Sequence, residues 1–495
     1  MLFNMAYFIL NLGIGIWLVP YLIVHLGVTV YGIVPLAISI TAYIGLITIS
    51  LNSSVSRFLT IELQKKDTET ANRTFNTAFW GSLSIGLCLF PFMVLVSFFV
   101  PNILNIPDGY ENETRIFFFF MMTTFLVSVV SANFSVSSFA QNRLDLSIIV
   151  QGIGLISRIL LIIVLFALFS PQLWYVGISF MGGALFTLVG AVWLWKKLTP
   201  ELNLKFSSFD YSRLKDLLGM GGWVLINQVG TLLFLNIDLI VVNKLFGAES
   251  GGCYASVLQW VILLRSLSGI LAGLLTPTIL ACYANGKTDQ IIMLSKISIK
   301  FLGLAMALPI GLICGFSAPL LSIWLGPNFS KLAPLMWLLV GHLCINIAVL
   351  PMFSIQQALN KVSVPGVLTF VMGCINLFLA IFLPLAFGWG IYGVASAGAI
   401  VLTLKNAIFT PWYSSRILNK PWHAFVVPIL PGMFATIGLI VGSFMLLRII
   451  NITNWFELIA CFSIISLVYL VLVYYFVLKT EDRELIVSFL PRKTT

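Results

Sequence analysis

Charge is what this chain has least of. Lys, Arg, Asp and Glu make up 9% of its 495 residues, where an ordinary soluble domain carries roughly a quarter, and mean hydropathy is +1.05. A chain this poor in charge and 60% hydrophobic is excluded from the soluble class and reads as a polytopic membrane protein. Sustained alternation of polar and apolar residues is also missing, which removes a membrane barrel. The apolar runs are instead about 20 to 28 residues long, enough to cross ~30 Å of hydrocarbon as helices.

Chemistry-bearing groups are equally sparse. Seven cysteines, at 88, 253, 282, 314, 344, 374 and 461, include no CxxC pair, and the three histidines have no HxxxH neighbour. No metal site or disulfide framework is visible, no cofactor is implied, and each Cys reads as a small buried apolar side chain. There is no nucleophile with a base and no phosphate-binding glycine loop. With only short connections on one side, and with Asp108, Glu111 and Glu113 reading as a solvated turn, an integral-membrane polymerase or glycosyltransferase is disfavoured. The net charge of +10 does not indicate nucleic acid, because the bases are spread over short connections between apolar runs. The first run, Leu2 to Val24, has no basic n-region and is too long for a signal h-region, so it reads as a retained span.

What is there is a series of fourteen spans: 2–24, 33–60, 78–100, 115–140, 146–169, 174–195, 219–246, 252–281, 294–316, 333–358, 364–386, 392–413, 424–446 and 454–478. The fold class is therefore all-α integral membrane protein with about 14 transmembrane helices. Pro91, Pro101 and Pro309 are positions where a helix could end or kink. Of the 27 Lys and Arg, nineteen fall in one alternating set of connections and four (Arg115, Lys244, Lys331, Arg448) in the other. The positive-inside rule places the first set, and both termini, in the cytoplasm. The remaining four bases lie within spans.

The longest connection, Lys196 to Met220, contains FSSFDYSRLKDLLG. Here Ser208 or Asp210 can cap a short helix with Leu214, Leu217 and Leu218 on one face, placed along the membrane surface. It divides the chain into residues 1–195 (an N-lobe of six spans), 196–220 (the connecting segment), 221–415 (a C-lobe of six spans) and 416–495 (two spans and a cytoplasmic tail). Sliding the sequence by 220 residues sets Leu26-Gly27 and Gly32 over Phe246-Gly247 and Gly252. A glycine turn, a span and a polar loop matching at one offset point to a duplicated lobe, with a site at the interface of the repeats.

PYLIVHLGVTVYG (Pro20 to Gly32), SSVSRFLTIEL (Ser53 to Leu63), FSSFDYSRLKDLLGMG (Phe206 to Gly221), NIDLIVVNKLFGAESGGCYASV (Asn236 to Val257), APLLSIWLGPNFSKLAPLMWLL (Ala318 to Leu339) and FGWGIYGVASA (Phe387 to Ala397) occur in this order. The ordered set resembles the polysaccharide exporters of the Wzx type, in the multidrug/oligosaccharidyl-lipid/polysaccharide (MOP) superfamily, over almost the whole chain. The resemblance implies two six-helix lobes around a central cavity in the bacterial inner membrane. It also implies alternating access and flipping of a polyprenyl-pyrophosphate-linked oligosaccharide from the inner to the outer leaflet for O-antigen or capsule biosynthesis, alongside other polysaccharide-assembly membrane proteins. One departure is the start, where relatives carry a short basic segment and Met1 opens almost directly into the first span.

Five ionisable side chains lie inside spans: Arg57, Arg158, Asp238, Arg265 and Lys405. Such groups cost about 3 kcal/mol each at membrane depth and face a bundle interior or water. By helical rise, Arg158, Arg265 and Lys405 come within about 3 Å of their helix midpoints, Asp238 lies about 9 Å toward the outside, and Arg57 is near the cytoplasmic end. Three cations against one carboxylate suit a pyrophosphate head group, with Arg57 meeting lipid at the inner entrance. The competing readings are structural pairing for the cations, snorkelling for Arg57, and for Asp238 either a lock on Arg265 or a coupling site for H+ or Na+. Asn227, Thr231 and Asp238 fall on one stripe of the seventh span, and His342, Asn346, Phe353 and Gln357 on one stripe of the tenth, where they line a cavity or join helix to helix. The alternatives in function are a cation-coupled multidrug exporter, which needs acids at depth that the first six spans lack, and a flippase for the cell-wall precursor lipid, whose head group has the same pyrophosphate.

Overall fold

The computed structural model describes residues 2–273, 279, 282, 283 and 287–478; side chains at 2, 47–54, 57, 216 and 218–224 lie outside the described set. The side chain of Arg57 and the tail after 478 are thus outside it. Every described regular element is a helix, and thirteen of the helical segments are long and apolar enough to cross a membrane. The longest, Leu225–Gly273, has 49 residues, is broken at Asn236 and again at Gly247 by φ 85°, ψ 177°, and takes in most of the seventh and the eighth predicted spans. Pro91, Pro101 and Pro309 all sit inside helices that continue past them.

The chain divides into two compact units, Met1–Ser256 with Gly366–Ile381, and Val257–Pro365 with Phe382–Thr495. In the first, the 220-residue offset is visible in the backbone. Gly27 and Gly247 share φ near +80°, a conformation that admits glycine and strains other residues. The two turns meet: a Cβ on Gly32 would lie 2.7 Å from the Gly252 nitrogen, and one on Gly252 would strike the Val28 carbonyl. Residues 366–381 belong to this unit because Gly230 and Gly373 let the seventh and eleventh spans touch backbone to backbone.

At the basic end of the same unit, Phe75, Phe79, Phe134 and Trp195 form a stacked aromatic core with Leu59 and Leu217. The connecting segment is fixed beside it by two asparagines one helical turn apart. Asn72 donates to the Glu201 carbonyl (2.9 Å) and accepts from the Asn203 amide (2.8 Å). Asn76 does the same to the Asn203 carbonyl (2.7 Å) and the Lys205 amide (2.7 Å). Spacing of two along an extended segment matches spacing of four along a helix, so every peptide group in this register is satisfied. Asp210 caps the next helix through the Ser212 and Arg213 amides. That helix is not the separate surface element expected from the sequence: it runs unbroken from Tyr211 to Leu235 into the seventh span. Leu217 is fully buried, and Arg213 pairs with Glu62 and donates to Thr74 (3.1 Å).

In the second unit, the ninth and thirteenth spans approach closely where Gly303 meets Gly432, and the Tyr469 hydroxyl ties the fourteenth to the Leu304 carbonyl (2.7 Å). The tenth span, expected as one helix over 333–358, is three pieces: Ala333–Val340, Leu343–Asn346 and Leu350–Ala358. Pro351 lacks the amide that would bond back to Ile347, so the helix cannot carry regular hydrogen bonds through this point. The twelfth span loosens into a π-helical turn at Lys405–Phe409.

Candidate functional site

The seventh span is broken where its carboxylate sits. The helix from Tyr211 ends at Leu235, Asn236 adopts φ −125°, and a new helix starts at Ile237. Asp238 thereby occupies a first helical turn, where free amides and the helix dipole favour negative charge. Its side chain is buried, with Tyr254 donating to Oδ2 (3.2 Å) and Asn376 to Oδ1 (3.3 Å). Asn376 also donates to the Leu233 carbonyl (3.0 Å), a group left open by the break. Tyr43, whose hydroxyl donates to the Leu232 carbonyl (3.0 Å), stands within electrostatic reach of the carboxylate. The expected stripe Asn227, Thr231, Asp238 does not hold together. Asn227 is exposed, Thr231 donates back to the Asn227 carbonyl (2.8 Å), and the break at Asn236 turns Asp238 away from both in helical phase.

Arg158, on the fifth span of the same unit, lies against the sixth. Gly183 makes the room: a Cβ there would come within 2.9 Å of the Arg158 Cβ. The guanidinium carbon is 4.4 Å from the Phe180 ring centroid, and Nε is buried without a hydrogen bond. No described carboxylate pairs with it.

In the second unit the break in the tenth span and the π turn of the twelfth face one another. Asn346 donates to the Thr403 hydroxyl (3.1 Å) and contacts His342 Nδ1 (2.6 Å), and Asn406 donates to Asn346 Oδ1 (3.0 Å). Thr410 closes the chain by donating to Asn406 Oδ1 (3.3 Å). Arg265 belongs to this unit too, within electrostatic reach of the His342 ring. Lys405 opens the π turn and is buried, with Nζ 5.3 Å from the Phe353 ring centroid and no described carboxylate paired to it. The cation–π contact offsets about 1–2 kcal/mol, less than the ~3 kcal/mol a mid-membrane lysine costs. Of the stripe expected on the tenth span, His342 and Asn346 lie in this network and Phe353 lies beside Lys405 Nζ. Because the helix breaks before Leu350, Gln357 is exposed, and its neighbour Gln356 turns inward to Ser414 (3.3 Å).

Sequence reasoning missed Tyr254, Asn376, Thr403 and Asn406. The usable signal was single Asn residues within otherwise apolar runs, which membrane interiors tolerate only where partners exist.

The fold is similar to that of a multidrug resistance MATE family transporter of the MOP superfamily in an inward-facing conformation, which superposes with a TM-score of 0.59 at 14% identity, covering 88% of this chain and 95% of that one. The lipid II flippase MurJ in an inward closed conformation superposes with a TM-score of 0.71 at 14% identity, covering 98% of this chain and 99% of that one. Residues 1–283 match the family described as "Polysaccharide biosynthesis protein", and the chain belongs to that family. It is 32% identical over 485 residues to the "Uncharacterized membrane protein EpsK" of Bacillus subtilis strain 168, covering 98% of this chain and 96% of that protein. It is 23% identical over 401 residues to the "Putative O-antigen transporter" of Shigella flexneri, covering 80% and 92%. The chain is a multi-pass integral membrane protein of a family associated with polysaccharide biosynthesis.

Proposed function

We propose that this protein flips polyprenyl-pyrophosphate-linked oligosaccharide repeat units from the inner to the outer leaflet of the bacterial inner membrane by alternating access, supplying surface polysaccharide of the O-antigen or capsule kind. The observation that carries the reading is the state of two intramembrane cations. Arg158 and Lys405 are each packed on an aromatic face with no described carboxylate beside them, while the carboxylate Asp238 is engaged by Tyr254 and Asn376.

A pyrophosphate diester brings about two negative charges and planar oxygens that a guanidinium binds in fork geometry, with an ammonium as a point charge. In this reading Arg158, Arg265 and Lys405 receive the head group, Arg57 meets it at the cytoplasmic entrance, His342 and Asn346 line its surroundings, and the polyprenyl tail stays among membrane lipids. Both termini and the basic connections are then cytoplasmic. Charge moving with the substrate would couple transport to the membrane potential at about 2.3 kcal/mol per charge per 100 mV. Asp238 is the first place to test for an exchanged H+ or Na+.

Arg158→Ala and Arg265→Ala are expected to abolish surface polysaccharide at normal membrane abundance, with lipid-linked glycan accumulating in the inner leaflet and partial retention in the Lys variants. Normal polysaccharide in both alanine variants overturns the head-group role. Vectorial efflux of lipophilic cations by the purified protein would establish the drug-exporter reading instead, and accumulation of the cell-wall precursor lipid in a deletion strain would move the substrate to that class.

A further inference from the structure

A second concave surface lies outside the spans, at the end of the first unit where the connecting segment crosses the third-span helix. It is a cleft of about 640 Å³, within the ~300–1,000 Å³ range of small-ligand sites. Its wall is built from Thr68, Asn203, Lys205, Ser207, Ser208 and Tyr211. The wall is rigid: Asn72 and Asn76 hold the backbone from Glu201 to Lys205 through four hydrogen bonds. The Asp210 amide is held in turn by the Thr77 hydroxyl (3.0 Å).

The polar groups that make this scaffold are consumed by it; those that face the cleft are not. Among the described residues, the hydroxyls of Thr68, Ser207, Ser208 and Tyr211 make no hydrogen bond. The Tyr211 side chain is 76% exposed, so its ring is an open stacking face. Of the charges on the wall, Arg73 is paired with Glu69 at 2.8 Å and Asp210 is engaged as a helix cap, leaving Lys205. A phosphate or anionic-lipid site needs convergent cations, and here a single amine faces hydroxyls and an aromatic ring. Hydroxyl and amide groups that both donate and accept, beside one aromatic face, match the surface of a sugar.

We infer that this cleft is a docking site for the glycan portion of the substrate, holding one or two sugar rings against Tyr211 with hydroxyl contacts to Ser207, Ser208 and Thr68, before the head group enters the membrane. Lys205 favours a glycan with an acidic group. The inference rests on the flippase reading, which puts these helix ends on the side where the lipid-linked glycan is made. It assigns glycan selectivity to a place separate from the pyrophosphate cations.

The test uses the full-length protein in nanodiscs of phosphatidylethanolamine and phosphatidylglycerol. The probe is oligosaccharide released by mild acid from the polyprenyl-linked material of a deletion strain, with inorganic pyrophosphate titrated separately. Tyr211→Ala and the Ser207→Ala/Ser208→Ala double variant should each weaken oligosaccharide binding at least tenfold, with Tyr211→Phe close to wild type. Pyrophosphate affinity and unfolding temperature should stay unchanged. Oligosaccharide affinity unaltered in these variants overturns the site, as does wild-type protein that binds pyrophosphate but no free oligosaccharide. Loss of co-purifying phosphatidylglycerol in place of oligosaccharide also overturns it, making the cleft a lipid contact. Oligosaccharide bound at the cleft while pyrophosphate binding ignores Arg158→Ala and Lys405→Ala leaves the cleft standing and removes the head-group assignment.

Discussion

Asp238 and Lys405 are buried to the same extent, 7% exposed each, and each sits where a span departs from regular α-helix, yet their surroundings differ in kind. The acid is at a helix start, with a tyrosine and an asparagine donating to its two oxygens. The base is at a π turn with an aromatic ring 5.3 Å away, and the hydrogen-bonding side chains next to it, Asn406 and Thr410, bond along the Asn346 network. Burial alone therefore does not distinguish the two charges; the partners each one meets do. On the proposed function, Asp238 is the charge that holds helices together and Lys405 the one offered to the substrate.

The comparison can be broken most directly at the base. Lys405→Met should abolish surface polysaccharide while leaving the unfolding temperature of the detergent-purified protein unchanged or raised, because it removes a charge that costs about 3 kcal/mol. A variant that exports normally, or is strongly destabilised, would make Lys405 structural. The opposite pattern is expected at Asp238. Asp238→Ala leaves the Tyr254 hydroxyl without its acceptor in a buried site and the Asn376 amide with the Leu233 carbonyl but not the carboxylate, and stability measured by thermal unfolding should fall by about 1–3 kcal/mol.

A smaller effect tests the network that bypasses Lys405. Asn346→Leu removes the acceptor of Asn406 and the partner of Thr403, and should cost about 1–2 kcal/mol, with no rise in stability of the kind expected for Lys405→Met. The smallest effect sharpens the lock: Tyr254→Phe should cost about 1 kcal/mol in the wild-type background and close to nothing once Asp238 is alanine. Additive losses in that double-mutant cycle would mean the two side chains act independently.

Much of the architecture was open to reading from residues alone. Apolar runs placed the helices, and the shared glycine pattern at 27/32 and 247/252 proved to be a shared backbone conformation with the two turns in contact. The intramembrane charges were also visible, since a lone Arg, Lys or Asp in twenty apolar residues cannot be missed. Their partners were not. Hydropathy averages over about 19 residues, so it cannot register a break one residue wide at Asn236, and it treats Asn376 and Asn406 as minor dips. The helical stripes hold only in part for the same reason. Both assume an unbroken 3.6 period, and the breaks at Asn236 and before Leu350 reset the phase between Thr231 and Asp238 and between Asn346 and Gln357.

The sequence by itself determined that this chain lives in a membrane as helices, how its connections divide by charge, and which ionisable residues fall within its apolar runs, because transfer of apolar and charged groups is settled residue by residue. Only the tertiary structure decided what those charges meet. Whether a buried carboxylate finds Tyr254 and Asn376, or a lysine finds the face of Phe353, depends on groups 16 to 138 positions away for the first and on another span for the second. It also depends on helix breaks whose cost is offset by the hydrogen bonds that form across them.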